Sequence, residues 1–547
     1  MYIANYSKLT TMKKITLLLM AALMVLSTGA GFSQDKKVIK KIIEIGTTDN
    51  QAMDHLDVLT NRIGGRLIGS NAYDNAVEWA AWQFKEWGMD VIIDEAGEVP
   101  VGFNRGPWFG KLLGENGMDL HFATPSHTAG TKGVQRGHVM LEPKTKAAFE
   151  KMKGKLKGSW VLIGGRNSGW PIDYSPIGDL KRDAVKMDND TIGQLIREIQ
   201  MYNRNRMGEL RNIKNEKKRA KYAEKNPAKE AKPYIEEPAL FYKEMVEAGI
   251  LGIIQASPIP IRALYDRNNI NGNYMTFETL PTIPDIKLDE HQYKIIEQMC
   301  KERRYFQLEF DIRNHFRMGP VKYHNVIGVI KGTEFPDEYV MMGGHLDAFD
   351  VATGGVDCGS GSTMGMEAAR LIMEAGGKPK RTILCCLWAG EEFGLLGSKH
   401  WVLSNEDKWP NIANYFNRDG GPTVANSLRV TSGMYDDMEK ICEPLNSINP
   451  DFPFKLSKTP PKRRSTRAGG SDHAYFAING VPTMSFGTGD PKGYDFDYNE
   501  IWHTERDLYN KSIPEYQEHS AVVTAVVVYG IAMLDHLLSR EGMFIEN

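Results

Sequence analysis

The run Arg381-Thr382-Ile383-Leu384-Cys385-Cys386-Leu387-Trp388-Ala389-Gly390-Glu391-Glu392 decides the reading of this chain. From Ile383 to Ala389 no polar side chain interrupts it, so Arg381–Trp388 reads as one continuous buried strand that stops at a Gly and two acids. Similar texture lies on both sides of it. Val326–Ile330, Tyr339–Met342 and Ile412–Asn417 read as further strands, and Thr363–Glu374 and Leu395–Leu403 as helices. Strands rich in β-branched and apolar residues, alternating with helices, predict an α/β domain with a largely parallel sheet. In such sheets ligands gather beyond the carboxyl ends of the strands.

Metal-competent groups stand at those ends. One strand runs into Gly343-Gly344-His345-Leu346-Asp347. Asp357 follows in the glycine-rich Gly354-Gly355-Val356-Asp357-Cys358-Gly359. Trp388-Ala389-Gly390 leads into Glu391-Glu392, Asn417-Arg418 leads into Asp419, and His503 follows later in Ile501-Trp502-His503-Thr504. Each is ordinary alone: paired acids are common at solvated helix starts, and Asp before two glycines is a common turn. Their coincidence at three successive strand ends is not ordinary. Two imidazoles and three carboxylates suit zinc and similar divalent ions and leave positions open for water. One carboxylate could bridge two metals ~3.5–4 Å apart. Glu391 and Glu392, being adjacent, point in different directions, so one can ligate while the other acts as general base. The chain has no His-Glu-x-x-His helix, no Gly-x-Ser-x-Gly elbow and no phosphate loop of the Walker type. Cys385 and Cys386 read as packing residues, and Cys358 as the one thiol near the site.

Further out, the chain has 547 residues, more than one hydrophobic core supports. Hydrophobic residues at 41% and charged residues at 25% are those of a globular protein. Sixty-seven Lys and Arg against 69 Asp and Glu give a net charge of −2, which removes the electrostatic case for a nucleic-acid partner. Five cysteines cannot form a disulfide scaffold. Lys13 and Lys14 before the apolar run Ile15–Leu26, with Gly31-Phe32-Ser33 after it, read as a signal peptide over residues 1–33. A periplasmic or secreted protein without stable membrane insertion is expected. Residues 38–92 carry helical periodicity, Val91–Ile93, Trp160–Gly164 and Gly252–Gln255 read as strands, and the charged stretch 182–232 as a solvated helical excursion.

The segments Gly343–Asp347, Gly355–Asp357, Trp388–Gly394, Ser471-Asp472-His473 and His503-Thr504 resemble, in order, the motifs of a co-catalytic zinc exopeptidase of clan MH, peptidase family twenty-eight. That family includes bacterial aminopeptidases and plasma glutamate carboxypeptidase. The resemblance implies an α/β sheet sandwiched by helices, with two zinc ions as cofactors. His345 and Asp419 would bind one zinc, Glu392 and His503 the other, and Asp357 would bridge them. Glu391 would be the general base and Asp347 would orient His345. Residues 34–105 and 316–547 would form the peptidase domain, and 106–315 a β-rich inserted domain similar to protease-associated modules. Its implied activity is hydrolysis of N-terminal peptide bonds of peptides or dipeptides, with oligomerisation left open. A glutaminyl cyclase with one zinc, or a receptor-like binding protein with none, are the alternatives.

Two departures from the family stand out. Cys358 follows the bridging Asp where Asn or Asp is usual, beside a peptide bond that is often cis. The family's oxyanion Tyr before Ser-Asp-His is replaced by Arg463-Arg464-Ser465-Thr466-Arg467-Ala468-Gly469-Gly470. Arg467 is therefore the candidate for gripping an oxyanion or a substrate carboxylate.

Overall fold

The computed structural model describes residues 36–114, 117–165, 167–230 and 234–545. The expected signal peptide lies outside them. The chain forms two compact units: one takes the described residues up to Gly97, Lys322–Trp502 and those from Arg506, the other Glu98–Val321 with His503–Glu505.

The first unit is built on five strands: β1 (Asp90–Val99), β2 (Val321–Ile330), β3 (Phe335–His345), β4 (Arg381–Trp388) and β5 (Ile412–Asn417), in the order β1-β2-β4-β3-β5. The bounds of β4 and β5 are those expected from the sequence. β3 runs parallel to both β4 and β5, but β2 is antiparallel to β4. This corrects the expectation of a largely parallel sheet: the sheet is mixed, and its parallel part is β4-β3-β5. The cause is the link Lys331–Glu334, too short for the crossover a parallel return requires. It passes over the start of β4, with Thr333 N–H donating to Pro379 O at 2.9 Å.

All eight residues of β4 are buried, because both faces are covered by helices. On one face, a Cβ placed on Gly365 of the helix Gly361–Glu374 would sit 3.7 Å from Cys385 Sγ. On the other, Cys386 and Trp388 pack with Trp401 and Phe476, whose rings stack at 5.7 Å. Alternation along the strand thus sends the two cysteines to opposite layers. The helix Pro514–Ala532 is buried from Tyr516 onward except at Glu518, which explains its apolar sequence all round. No helix among the described residues is long and apolar enough to cross a membrane.

In the second unit the strands Gln135–Leu141, Ser159–Ile163, Gly252–Ser257 and Asp285–Asp289 run parallel, flanked on each side by antiparallel strands. Trp160 and Phe310 meet edge-on at 4.8 Å in its core. The charged stretch, as far as Lys225, lies on the helices Pro176–Asn212 and Glu216–Lys225. Ser175 caps the first, accepting the Gly178 N–H at 3.2 Å, with Pro176 preset for the opening turn.

Candidate metal centre

β3 lies between its two parallel neighbours, with His345 level with Trp388 and Gly343 level with Asn417. The three carboxyl ends therefore stand side by side, and the residues just after them share one small volume. A side chain at Gly343, at φ 142°, would run into the Cys386 carbonyl, so glycine is what lets β3 approach β4 there.

His345 is fully buried at the centre. Its Nε2 lies 3.2 Å from Asp357 Oδ1 and 3.6 Å from Asp419 Oδ1. Its Nδ1 lies 2.8 Å from the Asp347 carbonyl, an acceptor only, so Nδ1 carries the hydrogen and Nε2 faces the carboxylates. Ligand atoms of His345, Asp357 and Glu392 fall within 4.8 Å of one another, as do those of His345, Cys358 and Asp419.

Asp347 works at both ends. Its carbonyl holds His345, and its carboxylate accepts the backbone N–H of Glu391 at 3.1 Å and of Glu392 at 3.3 Å. One residue therefore fixes the imidazole and aligns the turn that carries both glutamates.

The electrostatics are those of too many buried acids. Burial pushes the Glu391 carboxyl up to about 11, with Glu392, Asp472 and Asp419 adding to it and His345 opposing. Burial, then the Asp357 charge, raises Glu392 well above the carboxylate range. Burial lifts Asp472 to about 7. Burial works against a charge on His345, but Cys358 and the carboxylates of Asp347, Asp357 and Asp419 outweigh it and hold the imidazole well above its usual range. A divalent cation in that volume would supply positive charge to this cluster of buried acids.

The loop carrying Asp357 is held by two residues that the sequence did not single out for this role. Asp507 accepts the Val356 N–H at 2.7 Å and the Asp357 N–H at 3.2 Å. Arg66, fully buried, donates to the carbonyls of Leu346 at 2.8 Å, Thr353 at 2.7 Å and Gly354 at 3.2 Å. No local pattern marks either one, because each contact spans well over a hundred residues.

The Asp357–Cys358 peptide is cis. The Cys358 thiol donates to the Arg418 carbonyl at 3.1 Å, and burial pushes it up to about 11. A Cβ on Gly344 or Gly361 would lie 2.8 or 2.6 Å from its sulfur, so both glycines make room for it. Asn417 Nδ2 donates to Ser471 Oγ at 2.9 Å, tying β5 to the segment Ser471-Asp472-His473. Arg467 is exposed, its backbone turned around the Ser465 hydroxyl. His503, at φ 58°, opens the segment that packs with the second unit. Thr504 there bridges to Arg262, and Glu505 lies 2.7 Å from His121 Nε2.

Residues 325–528 match the model of Peptidase family M28. A probable glutamate carboxypeptidase of Arabidopsis thaliana is 33% identical over 227 residues, which are 39% of this chain and 32% of that protein. Carboxypeptidase Q of Rattus norvegicus is 28% identical over 231 residues, 41% of this chain and 46% of its own length. The chain thus spans less than half the length of these relatives. The crystal structure of a peptidase M28 precursor from Shewanella amazonensis has a similar fold, with TM-score 0.55 and 19% identity, over 93% of this chain and 99% of that one.

Proposed function

Starting from residues 325–528 as a peptidase family M28 domain, we propose that this chain is an exported di-zinc exopeptidase that hydrolyses N-terminal bonds of peptides or dipeptides. One observation carries the reading: a buried imidazole nitrogen faces several carboxylates at the ends of three adjacent parallel strands, with far more acid than base around it. Nitrogen and oxygen donors at that density suit zinc. Cys358 is set apart from these donors, since its thiol donates to the Arg418 carbonyl at 3.1 Å.

His345 and Asp419 would hold one zinc, Glu392 and His503 the other, with Asp357 between them. When bound, zinc polarises the scissile carbonyl and lowers the pKa of water. The remaining work falls to the chain. Glu391, its backbone N–H held by the Asp347 carboxylate, accepts the water's proton and returns it to the leaving amine. Asp347 keeps Glu391 and His345 in register. Arg467 grips the oxyanion or a substrate carboxylate at the cleft. The insertion, read as a protease-associated-like module, and export by the residue 1–33 signal belong to the same proposal.

A panel of aminoacyl reporters and unblocked dipeptides, with and without chelator and alongside zinc analysis, tests it. Chelator-sensitive cleavage with two zinc ions per chain is expected. One zinc with cyclising activity, or no metal and no turnover, would overturn it.

A further inference from the structure

The first unit holds another cavity, of about 340 Å³, walled by the strand Val424–Val430, the basic loop at 459–465, the run 481–485 and the stretch at Met543 and Phe544. Three cations line it: Arg429, Lys462 and Arg463. No carboxylate stands among the described residues of its walls, and none of the three cations is in an ion pair with a described residue. The rest of the wall is mixed. Met434, Met484 and Met543 are adaptable apolar surface, and five Ser and Thr hydroxyls are scattered among them.

The cavity is held in shape rather than formed by a free loop. Lys462 N–H donates to Met543 O at 3.2 Å, and Ile545 N–H returns to Lys462 O at 3.1 Å. Arg464 Nε donates to Ile478 O at 2.8 Å. The opposite wall is pinned to β5: Met484 N–H donates to Asn414 Oδ1 at 2.6 Å, and Asn414 Nδ2 donates to Met484 O at 3.2 Å.

Uncompensated cations around a half-apolar cavity select an anion with an apolar body. Its volume is at the small end for ligand sites, room for one or two residues of a peptide. The hydroxyls offer partners to a peptide group that a plain fatty acid does not have. We propose that this cavity binds the carboxylate end of a short peptide, with the guanidinium groups of Arg429 and Arg463 pairing with the carboxylate. This binding requires no metal and stands apart from the reading above.

Calorimetric titration of the full chain with N-acetyl-leucine, N-acetyl-leucinamide and octanoate tests it, together with the shifts of methionine methyl resonances. N-acetyl-leucine should bind, perturb Met434, Met484 and Met543, and weaken about tenfold in each of Arg429→Ala and Arg463→Ala. The amide should not bind, and octanoate should bind more weakly. Four results would each overturn the proposal: no binding, equal affinity in the variants, an amide or octanoate that binds as well, or shifts at Met341 and Met342 of β3 instead.

Discussion

The carboxylate of Asp347 accepts the Glu391 backbone N–H at 3.1 Å, while its own carbonyl accepts His345 Nδ1 at 2.8 Å. The two functions are chemically separable. Asp347→Asn keeps the carbonyl but turns an amide N–H₂ toward one of the two backbone donors. Activity should fall about 10–100-fold while zinc content is kept, as steady-state kinetics and elemental analysis of one preparation will read. Zinc lost in step with activity would mean that the carboxylate supports the metal rather than the glutamate turn.

Glu391→Gln should keep both metals and lose about 10²–10⁴-fold in turnover. The amide is near-isosteric but cannot take up a proton. Metal analysis beside kcat checks this. A metal-replete variant with full activity would remove Glu391 from the mechanism.

Asp357→Ala should lower occupancy at both metal positions, and His503→Ala chiefly at one. The difference is read by zinc titration monitored by competition with a chromophoric chelator. Asp357 is the group 3.2 Å from His345 Nε2 and the one its loop is built to hold. Equal loss of a single ion in both variants would exclude the bridging role.

Metal-free protein should become less stable as pH rises from about 4 to 8. Burial raises Asp472 to about 7; burial, with Asp357 next, raises Asp507 to about 8. Over that window the folded chain therefore binds more protons than the unfolded one, and stability falls with pH. His345, also raised by its neighbours, adds the same sign above its ordinary range. Zinc supplies the missing positive charge, so thermal unfolding of loaded protein should not show this decline. A chelated protein as stable at pH 8 as at pH 5 would contradict it.

What could be read from the sequence was local. β4 announces itself because a strand buried on both faces needs an unbroken apolar run, here Ile383–Trp388; β5 is apolar but for Asn414 and Asn417, and the acids beyond both strands stand out. The antiparallel β2 was not legible. Its direction depends on a four-residue link and on β4 entering between two strands already laid down. Arg66 and Asp507 were missed as supports of the site because their partners are backbone groups far along the chain, which leave no residue pattern. Asp347 reads as the partner of His345, but its hold on the Glu391 N–H joins groups 44 residues apart and leaves no local pattern.

On the proposed reading, the buried group around His345 holds two zinc ions and cleavage depends on both. Titrating zinc into chelated protein while following hydrolysis of an aminoacyl reporter tests it most directly. Activity should reach its plateau at two zinc ions per chain. A plateau at one ion, or full activity before any zinc is added, would contradict the account.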